Sequence, residues 1–171
     1  GERVNSYELL PRSAVELALR HVEGVANPLP GQHDWYVLCE LSSFTDEALD
    51  GLLEGALADA SAAGLVEDAA LCASERQRAQ LWRLRENVPE AQRRAGPSLK
   101  HDISVPIAAL SDFVAAASAW VRLHVPMGTL VAYGHAGDGN LHFTISFPQE
   151  TPAELLVPEE DDAVIEEGAP D

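Results

Sequence analysis

His135 and His142 stand on either side of a glycine-rich turn in Tyr133-Gly134-His135-Ala136-Gly137-Asp138-Gly139-Asn140-Leu141-His142. Two neutral imidazoles brought that close are the beginning of a site for a divalent metal. A catalytic metal site would add a carboxylate and keep one position open for substrate, and Asp138 is poorly placed for that part if it sits in the turn. Two other readings stand beside this one. The hairpin is a structural turn whose histidines form a partly buried surface pair, or it is a phosphate-cradling loop. The second lacks the following helix and the Lys-Ser/Thr pair of a P-loop. A further chemistry comes from the few cations. Arg83, Arg85, Arg93 and Arg94 fall on or near one helix, and Lys100 begins a strand. A guanidinium and an ammonium converging on one cleft would bind a carboxylate, the arginine through two parallel hydrogen bonds; the alternative is a solvated helix face.

The elements around the histidines decide whether they can meet. Leu130, Val131 and Ala132 precede the turn, and after it Leu141, Phe143, Ile145 and Phe147 alternate with His142, Thr144 and Ser146. A period of two indicates strands, and Asp138-Gly139 is a hairpin-turn signal. His142 falls on the polar face of its strand, and His135 shares a face with Tyr133 and Val131, so both rings can point to one side. Upstream, Ser13 to Arg20 reads as a helix, followed by a connection through Pro28, Pro30 and Gly31. Trp35 to Ser42 alternates as a strand with Trp35, Val37, Cys39 and Leu41 on one face. Thr45 then caps a helix, with Asp46 and Glu47 in its first turn, an apolar stripe of Leu49, Leu52, Leu53, Ala56, Leu57 and Ala60, and Gly64 as the stop.

Leu65 to Leu71 reads as another strand, and Ser74 opens a helix toward Arg94 that Pro89 interrupts. Leu99 to Val105 forms a strand, and Pro106 turns the chain into a helix carrying Ile107, Leu110, Phe113, Val114, Ala117 and Val121. Strands and helices alternating around one core, ending in an antiparallel hairpin, predict an α+β fold: a ferredoxin-like sandwich, largely antiparallel, with helices on one face. A small parallel α/β sheet is the alternative, and no glycine-rich nucleotide loop follows the first strand to support it.

At 171 residues and 46% hydrophobic composition the chain can bury one core. The expected organisation is a lead-in over 1–33, one domain over 34–148, and an acidic tail over 149–171 that Leu155, Leu156, Val157, Val164 and Ile165 would pin down. A net charge of −17 argues against nucleic acid or an anionic membrane as partner. No apolar run approaches a bilayer span, and no signal-peptide pattern opens the chain. Cys39 and Cys72 sit in apolar, strand-like stretches and read as buried free thiols, which suggests a reducing compartment; the absent signals point to a cytoplasmic location.

Three ordered motifs carry a resemblance: Leu81-Trp82-Arg83-Leu84-Arg85-Glu86-Asn87-Val88-Pro89-Glu90-Ala91, then Lys100-His101-Asp102-Ile103-Ser104-Val105-Pro106, then Gly134 to His142. Together, over roughly Trp35 to Phe147, they resemble the C-terminal cap domain of the FAD-linked oxidases. More narrowly they are similar to the D-2-hydroxyacid dehydrogenases, which include D-lactate dehydrogenase, the glycolate oxidase flavin subunit and D-2-hydroxyglutarate dehydrogenase. The resemblance implies that FAD is bound mainly by a separate N-terminal domain, the expected partner, while this domain supplies the site for a small 2-hydroxy acid over the flavin ring. It implies that the parent oxidises a D-2-hydroxy acid by hydride transfer to FAD and that this fragment alone is inactive.

By the same resemblance His135 and His142 are two ligands of a divalent metal, zinc or manganese. Arg85 and Lys100 hold the substrate carboxylate, and Thr144 occupies a substrate-contact position where asparagine is usual. Gly134, Gly137 and Gly139 shape the turn. Pro89 matches some members, whereas those with dicarboxylic substrates can carry threonine there. The chain stops before the Glu-His-Gly stretch that supplies a further metal ligand and a candidate base in metal-dependent members, so no catalytic base is assigned. A stand-alone ferredoxin-like interaction module and a free-standing metal-binding protein are the rival readings.

Overall fold

The computed structural model describes residues 3–43, 48–125, 127–152 and 156. Among these, the elements in chain order are β1 (Val4–Pro11), α1 (Arg12–His21), β2 (Trp35–Leu41), α2 (Leu49–Ala62), α3 (Glu75–Glu86), α4 (Val88–Ala95), β3 (Ser98–Ser104), a 3-10 turn (Ile107–Ala109), α5 (Leu110–His124), β4 (Thr129–His135) and β5 (Asn140–Ser146). The strands form one sheet in the order β2-β1-β4-β5-β3, and every pairing is antiparallel. This is the expected α+β class.

Register sorts the side chains, because residues directly opposite each other on paired strands share a face. Glu8 pairs with His135, Tyr133 with His142, Val131 with Thr144, Asp102 with His142 and Lys100 with Thr144. All of these therefore lie on one face. On it Leu10, Val131 and Tyr133 pack against Ala14, Val15 and Ala18 of α1, Leu84 of α3 and Val88 of α4. The opposite face presents Ala132 and Leu141, covered by Leu110 and Val114 of α5, and Ile145, covered by Val121 of the same helix. Helices on one face thus describes α1, α3 and α4. The fifth helix closes the other side, which is why β4 is buried on both faces, Val131 and Ala132 alike.

The strand expected over Leu65 to Leu71 is absent. Leu65 is 81% exposed, and His33 holds the neighbouring loop through Glu67 at 2.9 Å and Asp68 at 3.6 Å. Its place in the count of five is taken by β1, inside the segment read as a lead-in, which pairs with both β2 and β4. The lead-in is therefore part of the core rather than a preface to it. β2 is where expected, with Tyr36 buried while Trp35 and Val37 on the other face are 44% and 48% exposed. Cys39 is half-buried on β2 and Cys72 is exposed in a loop, not buried as expected; both are free thiols.

Other boundaries follow local chemistry. The Ser74 side chain accepts from the Gln77 N–H and starts α3. Pro89 falls in the first turn of α4, so the expected interruption occurs at Asn87 and splits one helical stretch in two. Gly64, at φ +69°, ends α2. The Thr45 cap with Asp46 and Glu47 lies outside the described residues, as do Leu155, Val157, Val164 and Ile165. Leu156 packs beside Phe147 and Val121. No helix among the described residues is long and apolar enough to cross a membrane.

Candidate active site

Antiparallel pairing brings the hairpin histidines together. Tyr133 opposes His142 and His135 opposes Asn140, which sets the two imidazole centroids 6.4 Å apart on one face. The loop between them is held by its own polar groups. The Asp138 carboxylate accepts from the Asn140 N–H at 3.0 Å, so it closes the turn and does not reach toward the rings. Two of the three glycines are required by the backbone: Gly134 has φ +143° and Gly139 φ +77°. A Cβ on Gly139 would also stand 2.0 Å from the Val105 carbonyl oxygen, because that turn hydrogen-bonds to the end of β3. Gly137 has neither constraint; the nearest atom to an added Cβ is Tyr7 Cβ at 3.7 Å.

Each imidazole is anchored through Nδ1 to a carboxylate. His135 Nδ1 lies 2.5 Å from Glu8 Oε1, and His142 Nδ1 lies 2.7 Å from Asp102 Oδ1. An Nδ1–H donated in this way leaves Nε2 of each ring as the atom presented outward, the arrangement by which carboxylates orient ligating or proton-transferring histidines. Glu8 is buried on β1 and does more. Its Oε2 accepts from Arg85 Nε at 2.7 Å, and Ser6 donates to Oε1 at 3.2 Å. One buried carboxylate therefore joins α3, β1 and β4.

Arg85 stands one layer behind the rings. Its guanidinium lies over the Tyr133 ring, 5.2 Å from the centroid, and Tyr133 in turn lies 5.0 Å from the His142 ring. Burial pushes the Tyr133 phenol up to about 12, against the opposing pull of Arg85, so the ring is neutral at physiological pH. Lys100 and Thr144 face each other across β3 and β5. With Pro89, Gln92, Tyr133 and His142 they line a cavity of about 200 Å³ between α4 and the sheet. That volume is on the scale of a small acid.

The structure thus brings Lys100, Thr144 and His142 to one cavity and sets His135 beside His142, whereas Arg85, expected with Lys100, is paired with Glu8 over the Tyr133 ring and does not line the cavity. Among the described residues no group of three His, Cys, Asp or Glu side chains is placed to hold a metal ion. Sequence reasoning missed Glu8, Asp102 and Gln92. The lead-in reading gave Tyr7-Glu8-Leu9-Leu10 no role, although a carboxylate inside an apolar stretch is a signal of a buried partner for a cation.

The family described as FAD linked oxidases, C-terminal domain, matches residues 1–164, a span that includes β1 and α1. A probable mitochondrial D-2-hydroxyglutarate dehydrogenase of Oryza sativa subsp. indica is 37% identical over 147 residues, covering 85% of this chain and 26% of the relative. A D-2-hydroxyglutarate dehydrogenase of Xanthomonas citri pv. viticola is 36% identical over 149 residues, covering 87% and 31%. The D-2-hydroxyglutarate–pyruvate transhydrogenase of Saccharomyces cerevisiae is 27% identical over 158 residues, covering 88% and 32%. The chain spans about a quarter to a third of the length of these relatives.

Proposed function

This chain belongs to the family of C-terminal domains of FAD linked oxidases, and on that premise we propose that it is the substrate-binding domain of a flavoenzyme that oxidises a D-2-hydroxy acid. The observation that carries this reading is the one-face arrangement of two oriented imidazoles beside a cavity lined by Lys100 and Thr144. The printed names of the relatives support the acid class, and several place those proteins in mitochondria. The lead-in and domain are read together in this proposal, with 149–171 as an acidic appendage.

In this reading Lys100 pairs with a substrate carboxylate and Thr144 hydrogen-bonds beside it, while Arg85, neutralised by Glu8 behind Tyr133, stands outside the cavity. His135 and His142 present Nε2 to the hydroxyl end of the acid, fixed by Glu8 and Asp102. With a third donor from outside the described residues, they would hold a divalent cation, zinc or manganese, whose charge acidifies a bound hydroxyl. FAD, which when bound accepts the hydride from Cα, would be held mainly by sequence outside this chain. Apolar residues left exposed on the sheet face away from the site, Tyr7, Trp35 and Val37, suit a covering surface of that larger protein.

Anaerobic visible spectra of the full-length gene product, before and after D-lactate, glycolate, D-2-hydroxyglutarate and the L-isomers, test the proposal. Bleaching of a bound flavin by one D-acid is expected, and no bleaching by any of them refutes it. The isolated chain is expected to bind no FAD tightly, to turn over none of these acids, and to bind zinc more weakly than micromolar.

A further inference from the structure

Gln92 is a polar side chain at a helix position that packing alone would fill with an apolar one. Val88, Ala91 and Gln92 are spaced i, i+3 and i+4 on the stripe of α4 that faces the sheet, and they are 0%, 0% and 1% exposed. Among the described residues its Nε2 has no hydrogen-bond partner. A buried donor left unpaired is unfavourable, and replacing it by an apolar group of similar shape is commonly neutral or stabilising. Packing therefore gives no reason for an amide here. The cavity does, since Gln92 stands in its wall together with Lys100 and Thr144. Pro89, one turn earlier on the same wall, has no donor to offer.

Direction along the strands says which part of a ligand the amide meets. His142 and Thr144 are two residues apart on one face of β5, a separation of about 7 Å, and Asp102 and Lys100 repeat it on β3. An acid whose reacting carbon lies at His142 reaches Thr144, Lys100 and Gln92 with its far end. There it meets one ammonium and two neutral hydrogen-bonding groups, a set that matches a carboxylate and leaves an alkyl end with unpaired polar neighbours.

We propose that Gln92 is a specificity-determining residue whose side-chain amide donates to a far-end carboxylate of the substrate beside Lys100, favouring a dicarboxylic 2-hydroxy acid over one ending in an alkyl group. This rests on the reading of the cavity as the acid site. Substrate binding satisfies the orphaned N–H, so the discrimination comes from the unpaired donor that an alkyl-ended acid leaves behind.

The test combines kinetics of the full-length flavoprotein with stability and NMR of the 171-residue chain, using Gln92→Leu and Gln92→Met. Expected is a 10- to 100-fold fall in kcat/KM for D-2-hydroxyglutarate, carried mainly by KM. D-lactate should change less than threefold, the flavin spectrum should not move, and Tm should be equal or higher. A Tm lowered by several degrees with the ratio of the two substrates unchanged would assign Gln92 to packing and overturn the inference. Should the wild-type protein oxidise no D-2-hydroxy acid, the functional reading fails separately. The assignment is then decided by the ¹⁵N-labelled Gln92 amide, which shifts on addition of glutarate but not of butyrate if the inference holds, and stays still if it does not.

Discussion

The two imidazoles of the hairpin make the same first contact and differ in what stands behind it. His142 leans on Asp102, whose side chain is 72% exposed on an edge strand. His135 leans on Glu8, whose side chain is 1% exposed and is tied to a guanidinium that is itself largely buried. Water can take over the work of Asp102, and no water can take over that of Glu8. One motif, symmetrical on the page, therefore has one half built into the core and one half resting on the surface.

The largest effect that would break this comparison comes from Glu8. Glu8→Ala leaves Arg85 buried without its counter-charge, and removal of one partner of such a pair costs about 3–5 kcal/mol. Urea denaturation of the chain should show that loss, and a change under 1 kcal/mol would mean Arg85 is not held as described. Glu8→Gln is the sharper variant. A carboxamide oxygen can accept from Arg85 Nε, but the NH₂ then turned toward His135 needs an acceptor, so the ring should take its proton on Nε2. Long-range ¹H–¹⁵N spectra would show that tautomer change at His135 and none at His142.

The turn gives the next effect. Gly139→Ala combines a positive φ with a Cβ placed against the Val105 carbonyl, and about 1–3 kcal/mol of backbone strain alone is expected. Gly137→Ala, with room around it, should stay within about 0.5 kcal/mol. Equal losses at both positions would contradict the turn geometry.

How much of this was legible depended on whether a residue's role was local. The hairpin, the Asp138-Gly139 turn, the Ser74 start of α3 and the break at Pro89 were all readable, because each is decided by the conformational preference of a few adjacent residues. The face shared by His135 and His142 followed from strand period alone. Glu8 and β1 were not readable, since a carboxylate in a core strand makes sense only with Arg85, which lies 77 residues away in the chain. The α2 helix shows the converse. Its apolar period was plain and the helix forms, yet it buries no residue. Period announces that a stripe can be covered and carries no information on what covers it.

Tyr133 lies between the two halves, under Arg85 and beside His142, and it sharpens the comparison through pH. Its phenol is raised by burial to about 12, so between about pH 10 and pH 12 the folded chain keeps a proton that the unfolded chain has lost. Stability from this group is whole below pH 10 and falls as pH rises through 12. Tyr133→Phe should therefore gain on the wild type across that window in parallel denaturation curves. Absorbance at 295 nm should show at least one tyrosine not ionising with the others; three coincident titrations would contradict its burial.

The smallest expected effect is also the most exact test of the difference. Asp102→Asn keeps the shape of the side chain and a hydrogen-bonding oxygen for His142 Nδ1, and removes only a charge that solvent already screens. The cost to stability should be about 0–1 kcal/mol, several-fold below that of Glu8→Ala in the same buffer, and 0.5 M salt should narrow the loss further, since an exposed pair is weakened by screening and a buried one is not. A loss for Asp102→Asn that matched Glu8→Ala, or that ignored salt, would mean that the edge half of the site is as firmly built as the core half. The asymmetry between the histidines would then lie in the positions of their partners and not in their energies.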